Sequence, residues 1–157
     1  MSMSVNPLET AEGGDFAGCR QLSVFLENRI GQLLRLTRLL EGGDVRIVGL
    51  SVEGTVDCAI CRMIVNDPDA AREMFADAGF AVSECDMLLV QLPPGRQGML
   101  TVCAALIGAE VNMNYLYPVW GSPRLDGHFL AIQVDNLPLA AQVLHEKGFH
   151  VVSQNEL

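Results

Sequence analysis

The chain states one pattern twice, on either side of about residue 86. The apolar run Leu22-Ser23-Val24-Phe25-Leu26 leads into Glu27-Asn28-Arg29-Ile30-Gly31-Gln32-Leu33 and a leucine-rich stretch. In the same way Leu88-Leu89-Val90-Gln91-Leu92 leads into Pro93-Pro94-Gly95-Arg96-Gln97-Gly98-Met99-Leu100. Setting Gly31 on Gly98, an offset of 67, also sets Leu33, Leu36, Thr37 and Leu40 on Leu100, Cys103, Ala104 and Ile107. Farther on, Gly79-Phe80 returns as Gly148-Phe149 at an offset of 69. A period this long means two copies of one small domain, because solenoid repeats are shorter and more numerous. In 157 residues each copy is near the lower size at which one core is stable alone, so the copies are expected to pack together. The boundaries that follow are a flexible extension over 1–20, a first domain over 21–86 and a second over 87–157.

Hydrophobic periodicity gives each copy the same order of elements. Leu22–Leu26 reads as a strand, and residues 31–41 as a helix with an apolar stripe at 33, 36, 37 and 40, ended by Gly42-Gly43. Val45–Val52 and Cys58–Val65 read as strands around a turn at Glu53-Gly54-Thr55. Asp67-Pro68 starts a helix that runs to Ala78, with Asp67 as cap, and Phe80–Glu84 begins a fourth strand. The second copy repeats this as Leu88–Leu92, Gly98–Ile107, Val111–Val119, His128–Val134, Leu137–Lys147 and Phe149–Ser153.

The order βαββαβ, met twice, predicts an α+β protein of two ferredoxin-like units, each an antiparallel sheet with both helices on one face. The other face of such a sheet is normally polar. Here the strand 58–65 carries Ile60 and Ile64 on one side and Ala59, Cys61, Met63 and Val65 on the other, while Phe25 points away from Leu22, Val24 and Leu26. Strands apolar on both sides are covered on both sides. The expected cover is a second subunit, hence a homodimer.

Charge and composition narrow the function. Ten Lys and Arg against nineteen Asp and Glu leave a formal charge of −9 with no basic stripe, which argues against nucleic acid. No apolar run approaches a membrane span, and the first twenty residues lack the basic start and apolar core of a secretory signal, so the expected location is cytoplasmic. Five cysteines, an odd number, are then expected to be reduced thiols. Cys58 and Cys61 have a suggestive spacing, but on a strand they point to opposite faces and cannot share a metal. Neither a metal nor a cofactor is expected. Tyr115, Tyr117 and Trp120 read as strand packing or subunit contact, and His128, His145 and His150 are scattered without ligand spacing.

The specific signal is the strand-to-helix turn 27–31. Glycine there lets a ligand or a neighbouring backbone approach closely, or else permits a tight turn and nothing more. The free N–H groups of a first helical turn suit a carboxylate. Two βαββαβ units, each with such a turn, with the second-strand start Ala109-Glu110-Val111-Asn112-Met113 and with a terminal Gly-Phe, resemble tandem ACT domains from about Gln21 to Leu157. The resemblance implies a non-catalytic regulatory module that binds a free amino acid at the junction of two paired domains and modulates an enzyme of amino-acid metabolism.

By the same resemblance one site comprises Asn28, Arg29, Ile30, Gly31 and Gln32 facing Glu110, Val111, Asn112 and Met113. Its quasi-symmetric partner comprises Gln97, Gly98 and Met99 facing Asp44 and Val45, where Arg46 stands for Asn112 and Pro93-Pro94 replaces the Asn28 pattern. The two sites are therefore expected to be unequal. The Asn28 amide would donate to the ligand carboxylate, and the Asn112 side chain would accept from its ammonium group. Two other readings are weighed beside this one. A dimerisation module would retain the fold with a decayed site. An enzyme on the same fold, of acylphosphatase or metal-chaperone type, would need a loop pattern that neither 28–32 nor 58–61 supplies.

Overall fold

The computed structural model describes residues 18–157. Most of the expected extension lies outside the described residues, but Cys19 and Arg20 already belong to the first strand, β1 (Cys19–Glu27). The strand starts there because Cys19 is buried and pairs with Met87. The chain continues through α1 (Gln32–Arg38), β2 (Ile47–Gly54), β3 (Cys58–Val65), α2 (Pro68–Asp77), β4 (Ala81–Gln91), α3 (Gly98–Gly108), β5 (Met113–Val119), β6 (Phe129–Val134) and α4 (Leu137–Glu146). The doubled βαββαβ order holds as far as α4, and only the expected last strand, Phe149–Ser153, does not form as a strand. Both of the later helices in the two copies start as capping chemistry predicts, with the Asp67 carboxylate accepting from the Ala70 N–H and the Asn136 amide oxygen from the Leu139 N–H.

The two copies share one strand. β4 pairs with β1 as far as Met87 and with β6 from Leu88 onward, so the last strand of the first copy runs directly into the first strand of the second. The polar residues Glu84-Cys85-Asp86 do not interrupt it, because successive side chains alternate faces. Cys85 turns inward onto Gln21, while Glu84 on the opposite face meets Arg72 and Arg20. The second copy's final strand shrinks to one bridge, Val90 to Val151. Beyond it Ser153 and Glu156 close a capping box around a single 3-10 turn, Gln154–Glu156, and Leu157 returns to the interior.

The six strands of the described residues close into one barrel in the order β1-β3-β2-β5-β6-β4, the last neighbouring the first. β2 and β5 meet at Gly49 and Val119, where a Cβ on Gly49 would stand 2.8 Å from Val119 Cγ2. Each unit keeps a core between its sheet and its helices, built around Leu22, Met63 and Phe75 in the first and Leu88, Leu106 and Ile132 in the second. A third core fills the barrel, where Ile64, Met87, Leu89, Val119 and Phe129 pack together.

That interior core corrects the reason given for a second subunit. The second apolar face of β3 is covered at Ile64 by the other half of the same chain. Only Phe25, 48 % exposed, and the half-buried Ile60 remain uncovered nearer the rim.

Candidate functional site

Strand register sorts the connecting loops between the two ends of the barrel. Glu27 lies opposite Cys58, Gly54 opposite Ala59, and Met113 opposite Val134. Since β2 and β5 run antiparallel, one end gathers the loop 28–31, the hairpin 55–57 and the start of β5. At the other end Gln91 lies opposite Phe129 and Ile47 opposite Val65, which gathers the loop 92–97 with the start of β2. The segments 28–32 and 110–113 therefore share one end, and 97–99 and 44–45 the other. Among the described residues no hydrogen bond joins the two segments of either pair.

The first loop is held by its own unit. The Asn28 N–H donates to the Asp57 carbonyl at 3.2 Å, and Asn28 Nδ2 donates to the carbonyls of Thr55 and Val56 at 2.5 and 3.4 Å. The Asn28 donors expected to meet a carboxylate are thus engaged by the neighbouring hairpin, and it is Asn28 Oδ1 that stays available. Arg29 pairs with Glu27, Ile30 is fully exposed, and Gln32 opens α1 with its side chain half-buried. Gly31 sits at φ 86°, a left-handed conformation, with open space around it. The requirement at 31 is conformational.

Facing it, Glu110 is the single described non-glycine residue at positive φ, 58°, and its N–H donates to Ile107 O. Val111 is buried, which leaves only its backbone to a ligand, and the half-buried Met113 packs on the second core. Asn112 is exposed; its N–H donates to Asp135 Oδ1 at 3.1 Å and its Nδ2 to Asn114 Oδ1 at 2.8 Å.

At the other end Gln97 caps α3 through its carbonyl, which accepts from both the N–H and the hydroxyl of Thr101. Gly98 is buried, and a Cβ there would collide with the Pro93 carbonyl oxygen, so the glycine answers to close approach of its own loop. Met99 is exposed, Val45 is buried, and the Asp44 carbonyl accepts from Asn66 Nδ2.

One feature of both ends was missed at the level of sequence. Asn66 Oδ1 accepts from the Arg46 N–H, and Asp135 Oδ1 accepts from the Asn112 N–H, so the same brace holds the start of β2 and of β5. The two acceptors, Asn66 and Asp135, stand 69 residues apart, the offset already seen for Gly79-Phe80 and Gly148-Phe149. Their signal was the pair Asn66-Asp67 and Asp135-Asn136, of which the sequence reading used only Asp67, as a helix cap.

No cluster of three or more His, Cys, Asp or Glu side chains that suits a metal occurs among the described residues. Cys58 is exposed and Cys61 buried, as alternation on β3 requires. Burial pushes the Cys61 thiol up to about 11, so it stays protonated at neutral pH. No described helix is long and apolar enough to cross a membrane.

Comparison with known proteins bears on this architecture directly. The family model described as an ACT domain pair matches residues 17–157. The chain is a member of the ACT-domain-pair family. Its fold is that of two ferredoxin-like ACT units, and the sequence resemblance to tandem ACT domains holds across all described strands and helices. No curated protein matches it in sequence. Among solved structures, protein BT0572 from Bacteroides thetaiotaomicron is similar at 27 % identity and TM-score 0.79, over 88 % of this chain and 94 % of that one. The ligand-free regulatory subunit of aspartate kinase from Thermus thermophilus shares the fold at 10 % identity and TM-score 0.57, over 85 % of this ACT pair and 95 % of that chain. The corresponding subunit from Thermus flavus does so at 9 % identity and TM-score 0.52, over 84 % and 93 %.

Proposed function

We propose that this ACT pair binds a free amino acid at a junction of its two units and thereby modulates an enzyme of amino-acid metabolism carried on another polypeptide. The observation that supports the reading is that each barrel end carries a strand-to-helix loop from one unit and a second-strand start from the other. A ligand spanning two such segments ties the units together, and by linkage it favours whichever arrangement a partner enzyme senses. The Thermus proteins of this fold are regulatory subunits of aspartate kinase, which fits a regulatory chain separate from its catalytic partner.

The end formed by 28–32 and 110–113 is the stronger of the two. Glu110 and Asn112 are exposed at the same barrel end as the unengaged Asn28 Oδ1, acceptors suited to an ammonium group, while the N–H groups of Ile30 and Gly31, outside the hydrogen bonds of the described residues, suit a carboxylate. The end at 97–99 and 44–45 has Gly98 closed against Pro93 and Val45 buried. The reading includes a homodimer and a cytoplasmic setting.

Thermal unfolding across the twenty amino acids tests it. At ten times its Kd a ligand stabilises by about 1.4 kcal/mol, a shift of a few degrees in Tm. The expected result is a rise with one amino acid or a chemically related few, reduced by Asn112→Ala. A flat profile across all twenty at millimolar concentration excludes the ligand and favours the dimerisation module.

A further inference from the structure

The two helix layers differ in a way that the duplication does not require. α1 and α2 carry charges on their outer faces, at Arg35, Arg38, Asp69, Arg72, Glu73 and Asp77. α3 carries none in eleven residues, yet it is a surface helix. Met99, Leu100 and Ile107 are 48, 65 and 64 % exposed on it. A helix apolar all round belongs in a buried setting.

Leu100, Ala104, Ile107 and Gly108 fall at i, i+4, i+7 and i+8, one stripe down the exposed side. Beside that stripe lies a groove of about 560 Å³ lined by Leu100, Thr101, Ala104, Ala105, Lys147 and Phe149. It continues past Gly108 and Ala109 to Glu146 in a second concavity of about 370 Å³.

We infer that α3 is the face on which a second copy of this chain docks, through a two-fold axis near Ala104. Protrusion and hollow sit on one stripe, so two antiparallel α3 helices set Leu100 of each copy over Gly108 of the other and Ile107 over Thr101. Ala104 at the crossing lets the axes approach closely, and a self-complementary patch is what a two-fold contact needs. Charge selects the occupant as well. Chains at a net −9 repel each other across most faces, whereas the only charged residues lining the groove beside α3 are Lys147 and Glu146, adjacent and opposite in sign. Across the axis each Lys147 reaches the other copy's Glu146.

This rests on the homodimer in the proposed function, moved from the sheet face to the helix face, and it is independent of any amino-acid ligand. Light scattering on the eluting full chain, without added ligand, tests it. The native protein is expected at twice the chain mass, and Leu100→Asp or Ala104→Glu at the chain mass, with far-UV dichroism and cooperative melting retained. Leu34→Asp, on the matching exposed face of α1, is expected to stay dimeric. In a Cys58→Ser background, Ala104→Cys is expected to give a covalent dimer on mild oxidation. A native protein monomeric at tens of micromolar overturns the inference, and so does a dimer that survives the α3 substitutions while Leu34→Asp dissolves it. A failed amino-acid screen with a dimer that the α3 variants dissolve would sink the ligand reading alone.

Discussion

Gln21 is the one fully buried polar side chain among the described residues, and neither of its polar atoms lacks a partner. Its Nε2 donates to the Tyr115 hydroxyl at 2.8 Å and lies 3.3 Å from both Ser23 Oγ and Cys85 Sγ, while its Oε1 accepts from the Tyr117 hydroxyl at 2.7 Å. Both tyrosines come from the other unit, so one β1 residue fastens the two halves inside the barrel. Burial holds the Tyr117 hydroxyl protonated well above the usual range, which keeps it a donor. Gln21→Leu leaves that buried hydroxyl without its acceptor and is expected to cost about 2 kcal/mol in urea unfolding. Adding Tyr117→Phe removes the orphaned group and is expected to recover part of the loss. A Gln21→Leu variant as stable as the native chain would mean that water takes over the bonds. None of this was legible beforehand. Gln21 read as the edge of a domain and the tyrosines as packing, because a buried network depends on which strands face one another.

Elements whose ends are set by local chemistry were the readable ones. β3 has the expected bounds of Cys58–Val65, α2 begins at its expected cap Asp67, and α4 begins at the expected Leu137, since alternation and capping act within a few residues. α1 is shorter than its apolar stripe suggested, ending at Arg38 instead of Glu41, as bonds from Leu39 and Leu40 to carbonyls three residues back tighten its last turn. The C-terminal element departs furthest from expectation. Its strand gives way to a tail whose Gln154 side chain donates to the carbonyls of Val65 and Asn66 and accepts from the Arg20 N–H, so the second unit's end is stapled to the first.

Glu156 holds that tail. Burial works to raise its carboxyl, but hydrogen bonds from Ser153 and His150 outweigh burial and leave it below its ordinary value. A depressed folded value gives stability that is present above the ordinary carboxylate range and is lost as pH falls through the folded value. The native chain is therefore expected to melt above Glu156→Gln at neutral pH and to converge with it in acid. An advantage that is the same at every pH would show that Glu156 acts by shape and not by charge.

At the scale of the molecule the interior core makes the two units one cooperative body. The chain's single tryptophan reports on their contact, since Trp120 of the second unit donates from Nε1 to the Ile47 carbonyl and from its backbone to Val48 O in the first. In urea, Trp120 fluorescence and far-UV dichroism are expected to change together. Fluorescence lost at lower urea would mean that the units part before they unfold.

Periodicity, capping and the 67- to 69-residue repeat sufficed for two βαββαβ copies, because those signals are local and survive in one dimension. They also marked two strands as apolar on both faces. What covered those faces was decided only in three dimensions. β4 runs through both halves of the barrel, so they fold face to face within one chain, and the apolar surface that stays exposed includes the outer face of α3. A face of a strand records that it must be buried; it does not record by what.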